Sequence, residues 1–442
     1  MDTSSLSFSK GGIHLREHKE LAERHSIENM PLPEEVFILL NQHFGAPAVS
    51  LVKKKDIVAE GDLIGTVEKG PGASIHSSIS GTIKGIVPAS HPLAVSAPAI
   101  LVERDPQAEP RQFARIGWND LSREEMLTRI KNAGIVGMGG AGFPTHVKLS
   151  PPPTAKMDVL ILNGAECEPY LTGDHRLMIE HPVEIIEGAM IILKLLGLRT
   201  CFIGVEDNKP DAIRALNAVL KDNVLNRNGF DISVKPLLTK YPQGSEKQLI
   251  QTITGRKVPG FGLPFDVGVT VQNVSTVRAI YEAVALGRPL YERIVTISGR
   301  GIKRQANLLV RIGTRLSDIV SYLGGVTDKL RKVVMGGPMM GFAVSTLDIP
   351  VMKTTSGVVF LTDEETDVSG YGQCIRCGWC IDACPMGLSP NEIGVYVEAG
   401  KSAETGQFGV FECFECGCCA YVCPAKRPLV QFVRIAKTKA KR

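Results

Sequence analysis

Apolar and polar positions fall into three rhythms along this 442-residue chain. Over residues 52–86 apolar positions alternate with polar residues and glycine turns, the period of a half-buried strand. Strand-like pieces stand at 63–68 and 81–87. From about 115 to 265 short apolar runs alternate with longer segments of helical spacing. The runs at 158–163, 200–205 and 231–237 predict strands; 182–197, 209–222 and 245–254 predict helices. Such alternation predicts a mostly parallel sheet with helices on both faces, and ligands of such sheets lie at the C-terminal strand ends. A strand over 267–273 and a helix over 275–286 come next. A hairpin over 293–313, a helix near 315–324 and a short strand over 332–341 follow, an order that suits a small β-grasp module. Beyond 360 the pattern dissolves into cysteine loops with one helical segment, 391–401.

Length and composition frame these pieces. A chain this long exceeds one ordinary core, so three or four domains are expected. The reading divides it into residues 1–105, 115–265, 266–345 and 360–442, with a polar linker holding two prolines at 104–112. The fold class is therefore mixed α/β and α+β, multidomain. Net charge is +4, too small for this length to point to nucleic acid. The longest apolar stretches, such as 189–198, are broken by charge and far short of a membrane span. Residues 1–12 carry no apolar run of a secretory signal. Residues 424–442 hold seven Lys/Arg and no Asp or Glu. That tail reads either as a C-terminal helix packed on the cysteine domain or as a contact for an anionic membrane surface or acidic partner.

The cysteines carry the strongest chemistry. Cys374, Cys377, Cys380 and Cys384, with Pro385, repeat as Cys413, Cys416, Cys419 and Cys423, with Pro424. Each run reads C-x2-C-x2-C-x3-C-P, the spacing that holds [4Fe–4S] clusters in bacterial ferredoxins, where the fourth cysteine serves the other cluster. By that logic Cys374, Cys377, Cys380 and Cys423 hold one cluster, and Cys384, Cys413, Cys416 and Cys419 the other. Structural zinc sites use two separated knuckles rather than two intact runs, and a disulfide framework fits poorly in a long chain without a signal peptide. Cys418, Cys167 and Cys201 are expected to be non-ligands. Oxygen-sensitive clusters place the protein in a reducing cytoplasm.

The second feature is the loop 137–149, GMGGAGFPTHVKL, whose four glycines let backbone amides approach a phosphate ahead of a helix. It matches neither the Rossmann nor the Walker spacing. Together with 163–176, 241–259 and 271–277, in that order, it resembles the FMN- and NADH-binding subunit of respiratory complex I and of NAD-linked hydrogenases, over about residues 115–345. The resemblance implies that Gly137, Gly139, Gly140 and Lys148 meet the FMN phosphate and that Phe143 stacks on the nucleotide's adenine. It places Asn163, Glu166 and Glu168 on an acidic loop, with Asn163 at the flavin edge and Glu168 at the nicotinamide ribose. Tyr241, Gly244 and Glu246 fall on a Gly-Glu turn, and Asn273 and Thr276 on the last motif. Met138, His146 and Ala165 depart from the family, which has arginine, glycine and aspartate there. Hydride transfer occurs at the flavin, so no catalytic side chain is expected.

Residues 52–86 resemble a barrel-sandwich hybrid, the fold of lipoyl and biotinyl carriers, but residues 75–80 lack the carrier lysine. His76 and His91 read as ordinary surface or core residues. With the GGIH of 11–14, the GGPMMG turn of 336–341 and the two cluster motifs, nearly the whole chain resembles the RnfC/RsxC family of Rnf ion-translocating electron-transport complexes. That family implies a barrel-sandwich domain, a flavin domain, an SLBB-type β-grasp module and a two-cluster domain. It implies FMN and two [4Fe–4S] clusters as cofactors and NAD(H) as substrate. It further implies a Na⁺- or H⁺-coupled translocase, membrane subunits and a ferredoxin-like subunit as partners, and a peripheral place on the cytoplasmic face of the membrane. Rival readings are a soluble cobalamin reductase, which lacks the N-terminal block, a hydrogenase diaphorase, whose cluster spacings differ, and an electron-wire adaptor without NADH activity.

Overall fold

The computed structural model describes residues 5–222, 229–367 and 369–441. Strands Val159–Gly164, Thr200–Glu206 and Asp231–Leu237 pair in parallel, as their short β-branched runs predict. Val159–Gly164 and Thr200–Glu206 are largely buried on both faces, whereas Asp231–Leu237 is the sheet edge, with Asp231 and Pro236 exposed. Leu160 and Leu162 join the core under helices Pro182–Leu196 and Val274–Tyr281, whereas Val159 and Ile161 face helix Glu246–Thr254. Burial on both sides is why the two inner strands read as apolar runs.

Val269–Asn273, expected in the β-grasp module, is instead the fourth strand of this sheet, parallel to Val159–Gly164. Val269 and Val271 fill the space above helix Glu246–Thr254, which strand order alone does not reveal. The helix expected over 275–286 stops being α-helical after Tyr281 and continues as a π-turn over Glu282–Leu286.

The barrel sandwich is built from a sheet ordered Glu35–Leu39, Ala94–Arg104, Gly81–His91, Ile57–Val58, and a smaller one of Val49–Ser50, Leu63–Thr66 and Ile75–His76. Val36, Ile38, Ile64, Ile75, Ile83, Ile100 and Val102 close its core. His76 belongs to that interior, and burial pushes it down to about 3. The β-grasp sheet has six strands, with Gly357–Thr362 in its interior between Glu292–Ser298 and Leu330–Met335, so it reaches beyond residue 345. Its first edge strand, Ile27–Asn29, comes from the N-terminus and pairs in parallel with Ala306–Arg311.

The stretch before that edge strand runs as a strap. Leu6 bridges the sheet edge at Leu237, the Gly12 amide donates to the Ala383 carbonyl, and Ile13 bridges Tyr241. The cluster lobe follows. Helix Leu429–Lys439 packs Leu429, Phe432, Val433 and Ala436 against it. Two of its basic residues are partnered there: Lys437 donates to the Cys413 carbonyl and pairs with Glu415, and Arg434 pairs with Glu415. No helix among the described residues is long and apolar enough to cross a membrane.

Helix Pro182–Leu196 approaches helix Val274–Tyr281 closely through Gly188, where a Cβ would stand 2.4 Å from the Val277 carbonyl oxygen. Gly188→Val is expected to lose about 1–3 kcal/mol by overpacking, read as a lowered first melting transition of the cofactor-loaded chain. An unchanged melt refutes this contact as a constraint.

Candidate flavin and iron–sulfur site

The C-terminal ends of Val159–Gly164 and Val269–Asn273 gather the predicted motifs. Asn163 donates Nδ2 to the Gly244 carbonyl at 2.8 Å while its Oδ1 accepts the Ala165 amide at 3.1 Å. This ties the acidic loop to the Gly-Glu turn. A Cβ on Gly244 would sit 2.4 Å from the Ala165 oxygen, so only glycine permits that approach. Lys148 reaches the same place and pairs with Glu246 at 2.5 Å, both part-exposed. Asn273 caps helix Val274–Tyr281 through the amides of Ser275 and Thr276. Thr276 Oγ1 accepts the Met138 amide at 2.9 Å, pinning the glycine loop. A Cβ on Gly139 would meet Asn273, whereas one on Gly140 would meet nothing within 4 Å. Gly137 closes the loop by donating its amide to the Phe143 carbonyl. Beneath Met138, where the resembled family has arginine, lies the buried guanidinium of Arg293, which donates to the Met138 carbonyl at 3.1 Å.

The two glutamates of the acidic loop have internal partners. Glu166 accepts the amides of Asp174 and His175, capping helix Gly173–Glu180, and burial pushes its carboxyl up. Glu168 accepts the amides of Met339 and Met340; burial pushes it up to about 7 against those two bonds. The GGPMMG turn is thus fastened to the acidic loop, and a Cβ on Gly337 would lie 2.2 Å from the Glu168 carboxylate. Sequence reasoning missed Lys19. Its fully buried ammonium collects the carbonyls of Glu166, Glu168 and Leu171 at 2.7, 3.1 and 2.6 Å. Nothing in a lone lysine 147 residues from Glu166 in sequence signals this.

The residues fit a flavin mononucleotide. A cation, open glycine amides and an amide side chain converge at the end of a parallel sheet, the donor set a phosphate and a flat polar ring require.

The cysteine lobe is an internal repeat. Arg376 and Gly378 in the first motif have φ of 57° and 83°, and Glu415 and Gly417 in the second have 64° and 85°. Short helices Trp379–Asp382 and Cys418–Tyr421 follow at matching places. Left-handed residues between the cysteines curl each loop so that its thiols face inward. Cys374, Cys377, Cys380 and Cys423 line one hollow. Cys423, Cys374 and Cys377 bear electrostatically on the Cys380 thiol, and Cys416 and Cys384 on that of Cys413. Each group thus draws one cysteine from the other run. The amides of Leu388 and Glu415 point at the sulfurs of Cys384 and Cys413, both at 3.4 Å. Sulfur-lined hollows with amide donors suit anionic iron–sulfur clusters.

The second motif abuts the flavin site. Tyr241 donates its hydroxyl to the Cys416 carbonyl at 2.7 Å, and Gln248 reaches the Pro385 carbonyl at the end of the first motif. Burial pushes the Tyr241 phenol up, so it keeps its proton. The first motif faces outward, with Cys377, Ile375 and Trp379 exposed.

Fold and site together define a flavin- and iron–sulfur-dependent oxidoreductase module. Family models agree domain by domain: the RnfC barrel sandwich hybrid domain matches residues 7–107, the Nuo51 FMN-binding domain 130–282, the SLBB domain 294–343 and the 4Fe-4S dicluster domain 367–424. The chain is 45% identical over 436 residues to the C subunit of the proton-translocating ferredoxin:NAD(+) oxidoreductase complex of Clostridium ljungdahlii, covering 98% of this chain and 94% of that one. It is 40% identical over 430 residues to the C subunit of the Na(+)-translocating ferredoxin:NAD(+) oxidoreductase complex of Acetobacterium woodii, covering 97% and 96%. A chain of an NAD+-reducing [NiFe]-hydrogenase in the H2-reduced state shares the fold with a TM-score of 0.50 and 16% identity, over 72% of this chain and 63% of that one. The protein belongs to the RnfC family of ion-translocating oxidoreductase complexes, and its cofactors are FMN and [4Fe–4S] clusters.

Cys384→Ser is expected to remove the cluster of the second motif and lower iron content by about half, with Cys418→Ser leaving both clusters. Iron analysis and low-temperature EPR of anaerobic preparations check this. Equal loss from both changes refutes the ligand set.

Proposed function

We infer that this chain is the NADH-interacting, peripheral subunit of a membrane-bound, ion-translocating ferredoxin:NAD⁺ oxidoreductase. The observation that carries the reading is the direct contact between the flavin-site turn and the second cysteine motif, Tyr241 to Cys416. Bound FMN supplies the exchange between a nicotinamide's hydride and single electrons, and the [4Fe–4S] clusters conduct those electrons.

The chain's own residues bind, orient and insulate. Lys148 and the amides of Gly139 and Gly140 hold the phosphate end, while the Gly137 amide closes the loop onto the Phe143 carbonyl. Glu246 fixes Lys148, and a charge-assisted hydrogen bond from that ammonium contributes roughly 1.5–3 kcal/mol. Asn163 offers polar atoms to the flavin edge, and its bond to Gly244 sets its orientation. Asn273 and Thr276 hold the glycine loop rather than reaching the ligand. Tyr241 keeps the inward cysteine motif against the flavin turn and excludes water between them. The motif of Cys413, Cys416, Cys419 and Cys384 stands on the nucleotide side, and that of Cys374, Cys377, Cys380 and Cys423 on the partner side. The apolar rim of Tyr371, Ile375, Trp379 and Tyr421 around the outward motif is exposed, which suits docking of the complex's ferredoxin-like or membrane subunits at the cytoplasmic face.

Three outcomes are expected. In an anaerobic NADH titration of the loaded protein, followed by visible absorption and EPR, the flavin band bleaches and cluster signals grow. A fully loaded chain that ignores NADH both alone and in its complex would falsify the reading. Lys148→Ala is expected to weaken FMN retention at least about ten-fold, measured by flavin release on gel filtration. Cys377→Ser is expected to abolish the outward cluster's EPR signal while NADH still reduces the inward one; loss of the inward signal instead reverses the proposed order.

A further inference from the structure

The two cysteine loops repeat one another in backbone but not in surroundings. Cys377, Gly378, Trp379 and Cys380 match Cys416, Gly417, Cys418 and Cys419 position for position. Gly378 and Gly417 share a left-handed backbone, at φ 83° and 85°. A Cβ on Gly378 would meet nothing within 4 Å, whereas one on Gly417 would lie 3.1 Å from the Met339 carbonyl oxygen and 3.3 Å from the Met339 methyl. Trp379 is exposed and Cys418 buried; Ile375 is exposed, and its counterpart Phe414 packs in the apolar cluster that Met339 joins. We propose that Met339 of the β-grasp module seals the inward cluster from water and so holds its reduction potential below that of the outward cluster.

Met339 stands in the GGPMMG turn, which joins the antiparallel strands Leu330–Met335 and Phe342–Val344 at the edge of the β-grasp sheet. Its side chain packs with Ile13, Tyr241, Cys416 and Cys418, groups drawn from the strap, the flavin turn and the second motif. The turn is rigid. Gly336 donates its amide to the Gly357 carbonyl at 2.7 Å, and Gly341 donates to Gly337 at 2.8 Å. A Cβ on Gly341 would lie 2.4 Å from the Gly337 oxygen. Glu168 holds the Met339 and Met340 amides at 3.0 and 2.9 Å, so the same peptide that covers Gly417 is tied to the acidic loop. At the base of the hairpin the Arg434 guanidinium, from the helix of the cluster lobe, lies 5.4 Å from the Phe342 ring centroid. Glu168 is therefore a positioning residue that acts through Met339.

The sign follows from charge. A thiolate-held cubane is anionic and gains one further negative charge on reduction, and potentials of such clusters respond to solvent exposure. Water stabilises the more highly charged form, and its exclusion costs that form more. A covered cluster is therefore harder to reduce than an open one with the same ligands. The open counterpart is on the same chain, at Gly378.

The test is a mediated anaerobic redox titration of the intact FMN- and cluster-loaded chain, read by low-temperature EPR, with Cys377→Ser marking which signal is the inward one. Met339→Ala is expected to raise the inward midpoint by about 59 mV, a ten-fold shift in a one-electron equilibrium, and to leave the outward midpoint in place. In deuterium oxide its inward signal gains deeper deuteron modulation than that of the parent. Met339→Leu, which keeps volume and apolarity, restores the parent value, and Met340→Ala, at an exposed neighbour, moves neither midpoint. Met339→Val, a smaller cut, shifts the inward midpoint the same way and serves as the test if the alanine variant loses iron. An inward midpoint that stays or falls, or an equal shift of both clusters, overturns the cover. The inference rests on the inward motif's place beside the flavin turn; no NADH enters the titration, so its failure leaves the NADH reading standing.

Discussion

A three-residue backbone seam fixes the distance between the flavin turn and the first thiolate loop, and the rest of the molecule is arranged around it. Residues 11–13 lie between two lobes. Gly12 donates to Ala383 on the cluster side, and Ile13 exchanges both backbone bonds with Tyr241 on the flavin side. A Cβ on Gly11 would come within 2.5 Å of the Cys384 carbonyl carbon. Gly11, at φ 64°, and Gly12, at φ 82°, are therefore required twice, for backbone conformation and for closeness. Electron transfer falls steeply with distance, and two glycines followed by Ile13, whose side chain packs with Tyr241 and Ala383, keep the two lobes close.

The same strap then organises the site it passes. Lys19 turns three carbonyl dipoles of the acidic loop toward one buried ammonium. A desolvated cation is costly unless its donors are all matched, and here burial lowers the Lys19 pKa while three oxygens surround the charge. Glu166 and Glu168 fasten the other side of that loop to helix Gly173–Glu180 and to the GGPMMG turn. The loop is held from the N-terminus, from its own domain and from the β-grasp module at once. That division of labour explains why the acidic residues serve as internal anchors while the polar atoms of Asn163 and Lys148 stay nearer the open face. It also explains how Met138 and Ala165 are accommodated. Met138 carries the loop through its backbone to Thr276 and Arg293, and Ala165 needs only to let Gly244 approach.

Much of this is legible in the residues alone. Periodicity locates the parallel strands and most helices of the flavin domain, because residues buried on both faces leave an unmistakable run. It misassigns Val269–Asn273, since strand order in sequence does not say which sheet a strand joins. It yields no strand at Gly357–Thr362, although all six residues are buried, because one short apolar run standing alone fits a buried helix segment as well as an interior strand. The basic tail carries two meanings in sequence; packing of Phe432 and Val433, and the partners of Lys437, show that its helix packs on the cluster lobe.

By itself the sequence determined the chemistry. Cysteine spacing dictates cubane clusters, since three thiolates in one tight loop reach three corners of a cube. Glycine density with Lys148 marks a phosphate site, because only bare backbone lets amides approach an anion. Both are local properties of short segments, which is why they survive without a fold. Tertiary structure alone decided adjacency: that the second motif, with the Ala383–Pro385 end of the first, meets the flavin turn, that Lys19 governs the acidic loop, and that Phe44 faces Phe143. These depend on contacts between residues as far apart in sequence as Tyr241 and Cys416, and no local pattern encodes the meeting of surfaces that are each stable in their own domain.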